Sequence, residues 1–560
     1  MLPVTIKKTI KYKHMKKILI LFTIVGAIFM SSCNEDTFLL EEPKDDIFAE
    51  NLFLNYDGFV NGLNAIYALV REDRETQSNV VRASLWQMGT DNTFVNNGAA
   101  QSDPFNDYND LHSENVLVRE NFNWLYRIIN SSNLIINRAE NTSVDWLGGN
   151  DAEDLKNQNK IIAQARVLRA WAYRHLRYGW GAVPLSLEEI DGTTYRNDWE
   201  RNSIEEINAQ MEIDLLFATQ NLEMKEGTGE VNAAVAGTML AELYLDMGEN
   251  GKAETEALKV INSPEYNLMT SRFGVEASEP GTVFTDLFKN PKPSDGNQEV
   301  LWVMNNAYAD VVGSSYVTIK NIWISYYSLD SQLKKKNLDI LYTYNGGKGS
   351  GRTSVTDSAF RWYEETDDRY SEYAVKKYFI YPTNDAATEF EVIGETNMDY
   401  DDPEDLEDNY LWPYVTKWAY NDPFVLDNAS LSGQYNDQMY MRLAETYLIA
   451  AEAMMKNSKP GLAADYLNEL RRRSNASEID ASDVTIDFIL DERSRELVTE
   501  EYRKHALVRT GTFYDRTVLY NPRLDDTKVF EYNEYFPIPQ GIIDANTGAV
   551  MEQNTGYENN

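Results

Sequence analysis

Apolar residues recur at helical spacing along three long segments of the 560-residue chain. These segments are residues 115–140, 161–178 and 438–473, and the last is interrupted at Lys459-Pro460-Gly461. Intervals of three, four and seven residues place the apolar side chains on one face of a helix. Because proline and glycine end helices, the third segment predicts two helices. The pattern therefore predicts several amphipathic helices, each with one face in a core.

Two blocks resemble tetratricopeptide repeats, in which two helices pack within about 34 residues. The first block, residues 232–264, places the small residues Ala253 and Ala257 on its second helix. The second places Ala450 on one helix and Ala463 on the next. Each block matches the repeat only in part, so an unrelated helical hairpin is the alternative. Since one repeat cannot bury its own apolar faces, we expect the blocks to pack into one scaffold.

Between about residue 270 and residue 437, glycine, proline, asparagine, aspartate and aromatic residues dominate. Short alternating runs there, such as Glu299-Val300-Leu301-Trp302-Val303, predict strands. The whole pattern predicts a mainly α protein, with a tetratricopeptide-like scaffold of helical pairs and a loop-rich region that has short strands. In one domain of residues 51–560, the scaffold is predicted at 51–75, 115–265 and 435–515, and the loop-rich, ligand-binding region at 76–114 and 266–434.

The first 32 residues differ from the rest, because they contain six lysines and no acidic residue. An apolar run at residues 18–30 follows the lysines and leads to Ser31-Ser32-Cys33. A basic start, a short apolar run and small residues before a cleavage point are typical of a secretory signal peptide. The run is too short for a membrane-spanning helix, which takes about 20 residues. Residues 1–32 are predicted to be removed, and translation starts at Met1 or Met15.

Cys33 is the single cysteine of the chain, so no disulfide can form within it. Met30-Ser31-Ser32-Cys33 resembles a bacterial lipobox, in which the cysteine becomes the lipid-modified mature N-terminus. A lone buried cysteine that follows a signal peptide is the alternative. Asn34-Glu35-Asp36 resembles the surface-export signal of Bacteroidetes lipoproteins. Two or three acyl chains would hold the protein on a membrane, with residues 33–50 as a tether.

The chain is strongly acidic, with 52 basic and 89 acidic residues and a net charge of −37. Without residues 1–32 the net charge is −43. Such a surface repels phosphate backbones, which argues against nucleic acid as a partner. Four histidines and one cysteine leave little material for zinc, haem or thiol chemistry.

No motif selects a catalytic or cofactor site. The acidic stretch at residues 399–408 could bind Ca²⁺ but lacks the ligand spacing of an EF-hand, so it is predicted to be a solvated loop. The stretch from Gly346 to Thr353 differs from a phosphate-binding loop, because Gly349 follows Gly347-Lys348. It is predicted to be a flexible surface loop. His112, His175 and His505 have no spacing typical of a metal site or a catalytic triad.

Six groups of residues, in order along almost the whole chain, resemble the motifs of the SusD/RagB family. They are Phe38-Leu39 with Asn61-Gly62-Leu63; Ala165-Arg166-Val167-Leu168-Arg169-Ala170 with Val183-Pro184-Leu185; Arg442-Leu443-Ala444-Glu445 with Asn468-Glu469-Leu470-Arg471; Glu492-Arg493 with Glu496-Leu497 and Arg503; Tyr535-Phe536-Pro537-Ile538-Pro539; and Gln553-Asn554-Thr555-Gly556-Tyr557. Gln540 and His175 depart from the family pattern. The charged residues of these motifs are expected to form ion pairs along or between helices.

The resemblance implies a lipoprotein of the outer membrane that faces the cell exterior and is not an enzyme. Its partner would be a SusC-like TonB-dependent transporter, and its ligand an oligosaccharide or another nutrient such as a peptide. A helical-repeat protein that only assembles surface complexes is the alternative. A surface glycosidase is a more distant one, since the many acidic residues include no motif that selects a catalytic pair.

Aromatic residues make up 12% of the chain, and aromatic rings stack on the C–H faces of sugars. Rings lie beside asparagine, aspartate or arginine, which can bind hydroxyl groups, in three loop-rich stretches at residues 86–97, 316–327 and 362–363. In the family that the chain resembles, ligand sites usually lie around the first two of these stretches. Most aromatic residues of any protein, however, belong to its core. The predicted ligand contacts are Trp86, Asp91, Asn92, Tyr316, Trp323, Tyr327 and Trp362.

Overall fold

The computed structural model of the protein describes residues 52–77, 80–96, 102–140, 143–191, 193–306, 317–329, 342, 345–382, 390–394, 411–419 and 433–557. The signal segment, Cys33 with its tether, Tyr316 and the acidic stretch at 399–408 lie outside these residues, so the predictions made for them stay predictions. Phe53–Asn560 form one compact unit.

Fifteen helices provide most of the regular structure in the described residues, which confirms the mainly α prediction. They are α1 Tyr56–Arg71, α2 Val116–Ala139, α3 Asp151–Trp180, α4 Ile204–Asn221, α5 Ala233–Asp246, α6 Asn250–Ile261, α7 Val283–Lys289, α8 Ile319–Trp323, α9 Asp357–Arg361, α10 Leu443–Lys456, α11 Pro460–Arg473, α12 Ile486–Leu497, α13 Arg503–Thr510, α14 Phe513–Tyr520 and α15 Gln540–Ala545.

Within the described ranges, ten short strands form two-stranded antiparallel sheets. The strands are β1 Thr76–Gln77, β2 Val80–Val81, β3 Thr93–Val95, β4 Val300–Met304, β5 Thr353–Val355, β6 Val375–Lys376, β7 Tyr378–Pro382, β8 Phe390–Gly394, β9 Tyr414–Val415 and β10 Gln438–Arg442. The pairs are β1 with β2, β3 with β5, β4 with β10, β6 with β9, and β7 with β8. Each sheet therefore joins only two short segments of the chain.

The longest helix, α3, has clear sequence signals at both ends. The side chain of Asn150 accepts hydrogen bonds from the backbone N–H groups of Ala152 and Glu153, and three acidic residues lie in the first turn. Such a cap and such charges stabilise the positive end of a helix. Gly181 ends α3 with a φ of 72°, a left-handed conformation that glycine adopts without strain.

The long helices form one continuous array. α2 packs against α3, α3 against α4, α4 against α5, and α5 against α6. α6 then packs against α10, which also contacts α11 and α12. The predicted contact alanines Ala253, Ala257, Ala450 and Ala463 are fully buried. The two predicted hairpins therefore meet in one scaffold, and the loop-rich region is an insertion between α6 and α10.

The strand β10 corrects one prediction. The periodicity predicts a helix from residue 438, but Gln438–Arg442 pair with β4 and α10 begins only at Leu443. Met439 lies opposite Val303 in this pairing, and Met441 lies opposite Trp302. Pairing with β4 replaces the first turn of the predicted helix and fixes the end of the inserted region against the array.

A buried group of carboxylates and guanidinium groups joins the array to the inserted region. Glu496 of α12 accepts hydrogen bonds from Arg369, Arg442 and Arg473. Arg442 ends β10, Arg473 ends α11, and Arg369 belongs to the inserted region. Glu492, one turn earlier on α12, accepts a hydrogen bond from Arg369 at 2.7 Å. These five residues, all buried, are named the Glu496 network.

Both carboxylates of the network stay charged. Burial by itself would raise the pKa of Glu496, but the surrounding guanidinium groups hold that pKa well below the usual glutamate value. Burial would also raise the pKa of Glu492, but neighbouring guanidinium groups lower it to about 2. Because charged groups away from water are costly without partners, each member of the network requires the others.

Most charged residues of the helical motifs form the expected ion pairs. Arg169 of α3 contacts Asp214 of α4 at 2.7 Å. Arg166 is different, because its guanidinium lies 4.3 Å from the ring centre of Phe217. Two further pairs join Arg493 with Glu501 and Arg503 with Asp91.

Two buried histidines lie side by side between helices. The ring centres of His175 in α3 and His505 in α13 are 4.7 Å apart. His175 Nδ1 lies 2.9 Å from the carbonyl oxygen of Trp171. Burial lowers the pKa of both rings well below the usual histidine value, and nearby positive charge acts in the same direction. Both rings are therefore neutral in the folded protein at pH 7.

Replacing Glu496 by glutamine should destabilise the protein, because three buried guanidinium groups lose a shared negative charge. We expect the free energy of unfolding to fall by about 3–5 kcal/mol, measured by chemical denaturation with circular dichroism. Glu469→Gln is the control, since Glu469 and Arg472 form an exposed pair and should contribute less than about 1 kcal/mol. Equal losses in the two variants would contradict a structural role for the Glu496 network.

Acid should destabilise the protein in two stages. Unfolded histidines bind protons below about pH 6.5, whereas the folded protein keeps His175 and His505 neutral, so stability falls as the pH drops below that value. Below about pH 4.5 the unfolded chain also protonates carboxylates such as Glu492, whose folded pKa is about 2. Each histidine or carboxylate that is protonated only in the unfolded chain adds about 1.4 kcal/mol per pH unit to the slope of the unfolding free energy against pH.

Urea unfolding at a series of pH values measures these slopes. In a chain with both His175→Gln and His505→Gln, the first stage should disappear and the second should remain. The slope, not the absolute stability, is the readout, because the double variant also loses packing. Constant stability of the natural chain between pH 6.5 and 5 would show that the two buried rings do not resist protonation.

Candidate functional site

Trp86 lies at the centre of an aromatic cluster inside the protein. Its ring centre is 5.2 Å from that of His175, 5.1 Å from that of His505 and 5.8 Å from that of Phe536. The side chain has no exposed surface. An enclosed ring has no face on which a ligand could stack, so the predicted ligand contact at Trp86 is corrected to a packing role.

Asp91 is buried as well, and it binds two arginines. Its carboxylate accepts hydrogen bonds from Arg503 at 2.7 Å and from Arg516 at 2.8 Å. Burial by itself would raise the pKa of Asp91, but the two guanidinium groups hold it below the usual aspartate value. Asp91 thus links α13 to α14, and the prediction that it binds ligand directly is corrected.

Asn92 supports the start of α9 from inside the protein. Its side-chain amide donates a hydrogen bond to Ser494 Oγ at 3.0 Å. Its carbonyl oxygen accepts one from the backbone N–H of Thr356 at 2.9 Å, and the Thr356 side chain caps α9. α9 ends one residue before Trp362. Asn92 is therefore a positioning residue for this segment and not, as predicted, an exposed ligand contact.

Trp362 is the predicted contact that keeps part of its ring at the surface. Its ring meets that of Tyr520 edge to face, with centres 5.2 Å apart at 86°. The guanidinium of Arg516 lies 5.4 Å from the Trp362 ring centre and 4.9 Å from that of Tyr520. Both rings are half-buried, whereas Arg516 is buried. The two rings with Arg516 are named the Trp362 surface.

Two sequence-predicted residues therefore meet at one arginine. Asp91 binds the Arg516 guanidinium, and the ring of Trp362 lies beside it. The backbone of Trp362 is held too, because its carbonyl oxygen accepts a hydrogen bond from Arg495 at 3.0 Å. Arg495 also binds Glu492 of the Glu496 network at 2.8 Å. The Trp362 surface is thus connected to the ionic interior of the protein.

Trp323 and Tyr327 are buried in two apolar clusters of the inserted region. Tyr327 packs with Phe379, with ring centres 5.6 Å apart, and its hydroxyl donates a hydrogen bond to the carbonyl oxygen of Gly347. Both predictions of ligand contact are corrected, because neither ring is exposed. Tyr316 lies outside the described residues.

The glycine-rich stretch from Gly346 to Thr353 is less open than the surface loop that the sequence predicts, because buried and half-buried residues alternate along it. Gly349 is buried, and a Cβ atom at this position would collide with the carbonyl oxygen of Ile324. The backbone N–H of Gly351 donates a hydrogen bond to the same carbonyl oxygen at 2.8 Å. Glycine is required here because the backbone passes close to α8.

The described residues contain neither a cluster of metal ligands nor a helix that could span a membrane. There, no group of three or more histidine, cysteine, aspartate or glutamate side chains is arranged to hold a metal ion. In the same part of the chain, no helix is both long enough and apolar enough to cross a membrane.

A cavity of about 490 Å³ opens between α2, the segment after α3 and α15. Six of its larger apolar or aromatic side chains are Phe122, Tyr126, Ile190, Trp199, Ile542 and Met551. This cavity is named the Trp199 pocket. Its volume falls within the range of about 300–1,000 Å³ that is usual for small-molecule sites.

Trp199 is held in place from two sides. Its backbone N–H donates to Asn546 Oδ1 at 2.7 Å, and its carbonyl oxygen accepts from Asn546 Nδ2 at 2.8 Å. The guanidinium of Arg196 lies 4.2 Å from the Trp199 ring centre. The ring is therefore positioned before any ligand arrives.

Neither the Trp199 pocket nor Tyr520 is among the predicted ligand contacts. A local signal exists for the pocket, because residues 195–199 mix aromatic, arginine and asparagine side chains as the three loop-rich stretches do. Residues 195–199 lie within the predicted scaffold and outside the predicted ligand-binding region. The contact of Tyr520 with Trp362 has no local signal, since α14 is far from Trp362 in the sequence.

Residues 298–557 match the model of the SusD family. SusD-like protein P25 of Formosa agariphila is 22% identical over 94% of this chain and 97% of its own length. The starch-binding protein SusD of Bacteroides thetaiotaomicron is 37% identical over 120 residues, which are 21% of each chain.

Solved structures share the fold. The surface glycan-binding protein A of Bacteroides thetaiotaomicron, in complex with laminarihexaose, aligns with a TM-score of 0.65 at 20% identity and covers 89% of this chain and 99% of its own. A SusD superfamily protein of Parabacteroides distasonis aligns with a TM-score of 0.67 at 16% identity, over 91% and 100% of the two chains. These structures share the fold, and the family model over residues 298–557 together with the near full-length SusD-like relatives supports the assignment of the chain to the SusD family.

Proposed function

We propose that this protein is a cell-surface lipoprotein that captures oligosaccharides and delivers them to a TonB-dependent transporter. The observation that carries the binding role is the Trp362 surface, where two aromatic rings are partly exposed and held in place by buried charges. The family assignment supports the same role, since two relatives are named for glycan binding, one for starch and one in complex with laminarihexaose.

The Trp362 surface has the chemistry that a sugar requires. The exposed parts of two rings set at a right angle can cover the C–H face of one sugar ring and the edge of the next. Arg516 also contacts Asp487 at 2.9 Å and Asp491 at 2.5 Å. These carboxylates therefore lie near the rings, and carboxylate oxygens accept hydrogen bonds from hydroxyl groups.

The surface is also preorganised. Arg516 is fixed by its buried partner Asp91, and the backbone of Trp362 is fixed by Arg495. Side chains that are ordered before binding lose less conformational entropy when a ligand arrives.

Membrane anchoring and transport complete the proposal. Acylation of Cys33 would hold the protein on the outer membrane, facing the cell exterior, and a SusC-like transporter would receive the ligand. The lipobox-like residues before Cys33 and the family motifs support this part. The protein is proposed to bind without catalysis, because the named relatives are binding proteins.

Replacing either ring of the Trp362 surface should weaken glycan binding. We expect Trp362→Ala and Tyr520→Ala each to lower the affinity about tenfold, which is about 1.4 kcal/mol, because each loses one stacking face. Isothermal titration calorimetry against laminarihexaose, maltoheptaose and other oligosaccharides measures the effect.

Tyr466→Ala is the matched control, since Tyr466 is a half-buried tyrosine on α11 of the scaffold. It should leave affinity unchanged. A chain that binds none of the oligosaccharides would contradict capture and would favour the alternative of a helical-repeat assembly protein. Steady hydrolysis of a bound oligosaccharide would contradict the proposal of binding without catalysis.

Replacing Cys33 by serine should remove the anchor, because serine has no thiol to receive a diacylglycerol group. We expect the variant to lose incorporation of an alkyne-labelled fatty acid and to leave the outer-membrane fraction. Ser32→Ala keeps a small residue before the cysteine and should behave as the natural chain does. Retention of the label in the serine variant would exclude Cys33 as the lipid site.

A further inference from the structure

The interior of the Trp199 pocket has few free polar groups. The hydroxyl of Tyr126 donates a hydrogen bond to the carbonyl oxygen of Pro184 at 2.7 Å. The side chain of Asn130 forms two hydrogen bonds with the backbone of Ile190, at 2.8 and 2.9 Å. The side chain of Asn546 likewise forms two hydrogen bonds with the backbone of Trp199. A ligand covered with hydroxyl groups would leave many of them without partners here, so the interior favours an apolar body.

The charge of the pocket is opposite to that of the chain. Of the described residues that line it, Arg127 and Arg196 are basic and none is acidic, although the whole chain has 89 acidic and 52 basic residues. The carboxylate of Glu72, which Arg127 contacts at 3.0 Å, is shared with Arg82. One negative charge thus serves two guanidinium groups. Arg196 pairs with the exposed carboxylate of Asp198 at 2.9 Å, so the positive charge that remains at the pocket comes from Arg127. Both lining arginines are largely exposed, which places their charge toward the mouth.

We propose that the Trp199 pocket is a second ligand site, which takes a small amphipathic carboxylate. Its aromatic or aliphatic body would lie among Phe122, Trp199 and Ile542, and its carboxylate would face the arginines at the mouth. Trp199 is positioned in advance by Asn546 and Arg196, which reduces the entropic cost of binding. The site shares no residue with the Trp362 surface and is independent of glycan capture.

Calorimetry of the whole chain tests this with defined probes. 3-Phenylpropionate, 3-(indol-3-yl)propionate and octanoate combine an apolar body with a carboxylate. We expect at least one to bind with a dissociation constant below about 1 mM. 3-Phenylpropanamide has the same body without charge and should bind several-fold more weakly than 3-phenylpropionate. Acetate, which has the charge without the body, should not bind measurably.

Two variants locate the binding. Ala545 is exposed at the pocket, so Ala545→Trp should fill the mouth without disturbing the core and should lower affinity about tenfold or more. Ala152→Trp, at an exposed alanine in the first turn of α3, is the matched control and should have no effect. Arg127→Gln should weaken binding of the carboxylate but not of the amide, and Glu72 keeps Arg82 as its partner.

Any of three results would overturn the proposal. The first is that none of the three carboxylates shows saturable binding up to about 1 mM. The others are equal affinity for 3-phenylpropionate and its amide, and unchanged binding of the carboxylates to the Ala545→Trp variant. Unfolding midpoints of the variants show whether they are folded. Glycan affinity should be unchanged in Ala545→Trp, which separates this site from the Trp362 surface.

Discussion

The buried carboxylate of Glu496 is the point at which the helical array and the inserted region are joined, because arginines from both bind it. Arg473 comes from the array, Arg442 from the strand that leads back into it, and Arg369 from the insertion. Because these charges are buried, they are stable only together. These contacts therefore fix the long insertion between α6 and α10 to the scaffold.

The same system of charges extends to the protein surface. Glu492 lies one turn from Glu496 and binds Arg495, which in turn holds the backbone of Trp362. From the other side, Asp91 fixes Arg516 beside the Trp362 ring. The interior ion pairs therefore do more than stabilise the fold, because they also set the position of the aromatic rings that we propose for glycan binding.

The sequence predicted what depends on local pattern. Helical spacing located the array, and charged motif residues such as Glu492 were correctly expected to pair between helices. Burial of side chains in loop-rich segments could not be predicted, because Trp86 is enclosed by rings from remote helices and Asp91 by arginines some four hundred residues later. The pairing of Trp362 with Tyr520 depends on tertiary structure in the same way. Gln438–Arg442 were assigned to a helix because β4, their strand partner, lies far back along the chain.

The central claim is that an oligosaccharide lies on the Trp362 surface. A crystal structure of the chain with a bound oligosaccharide that calorimetry has identified tests it most directly. Our account predicts a sugar ring in van der Waals contact with Trp362 or Tyr520, at about 4 Å, and a hydroxyl group hydrogen-bonded to Asp487 or Asp491. An oligosaccharide bound elsewhere, with both rings still open to solvent, would contradict it.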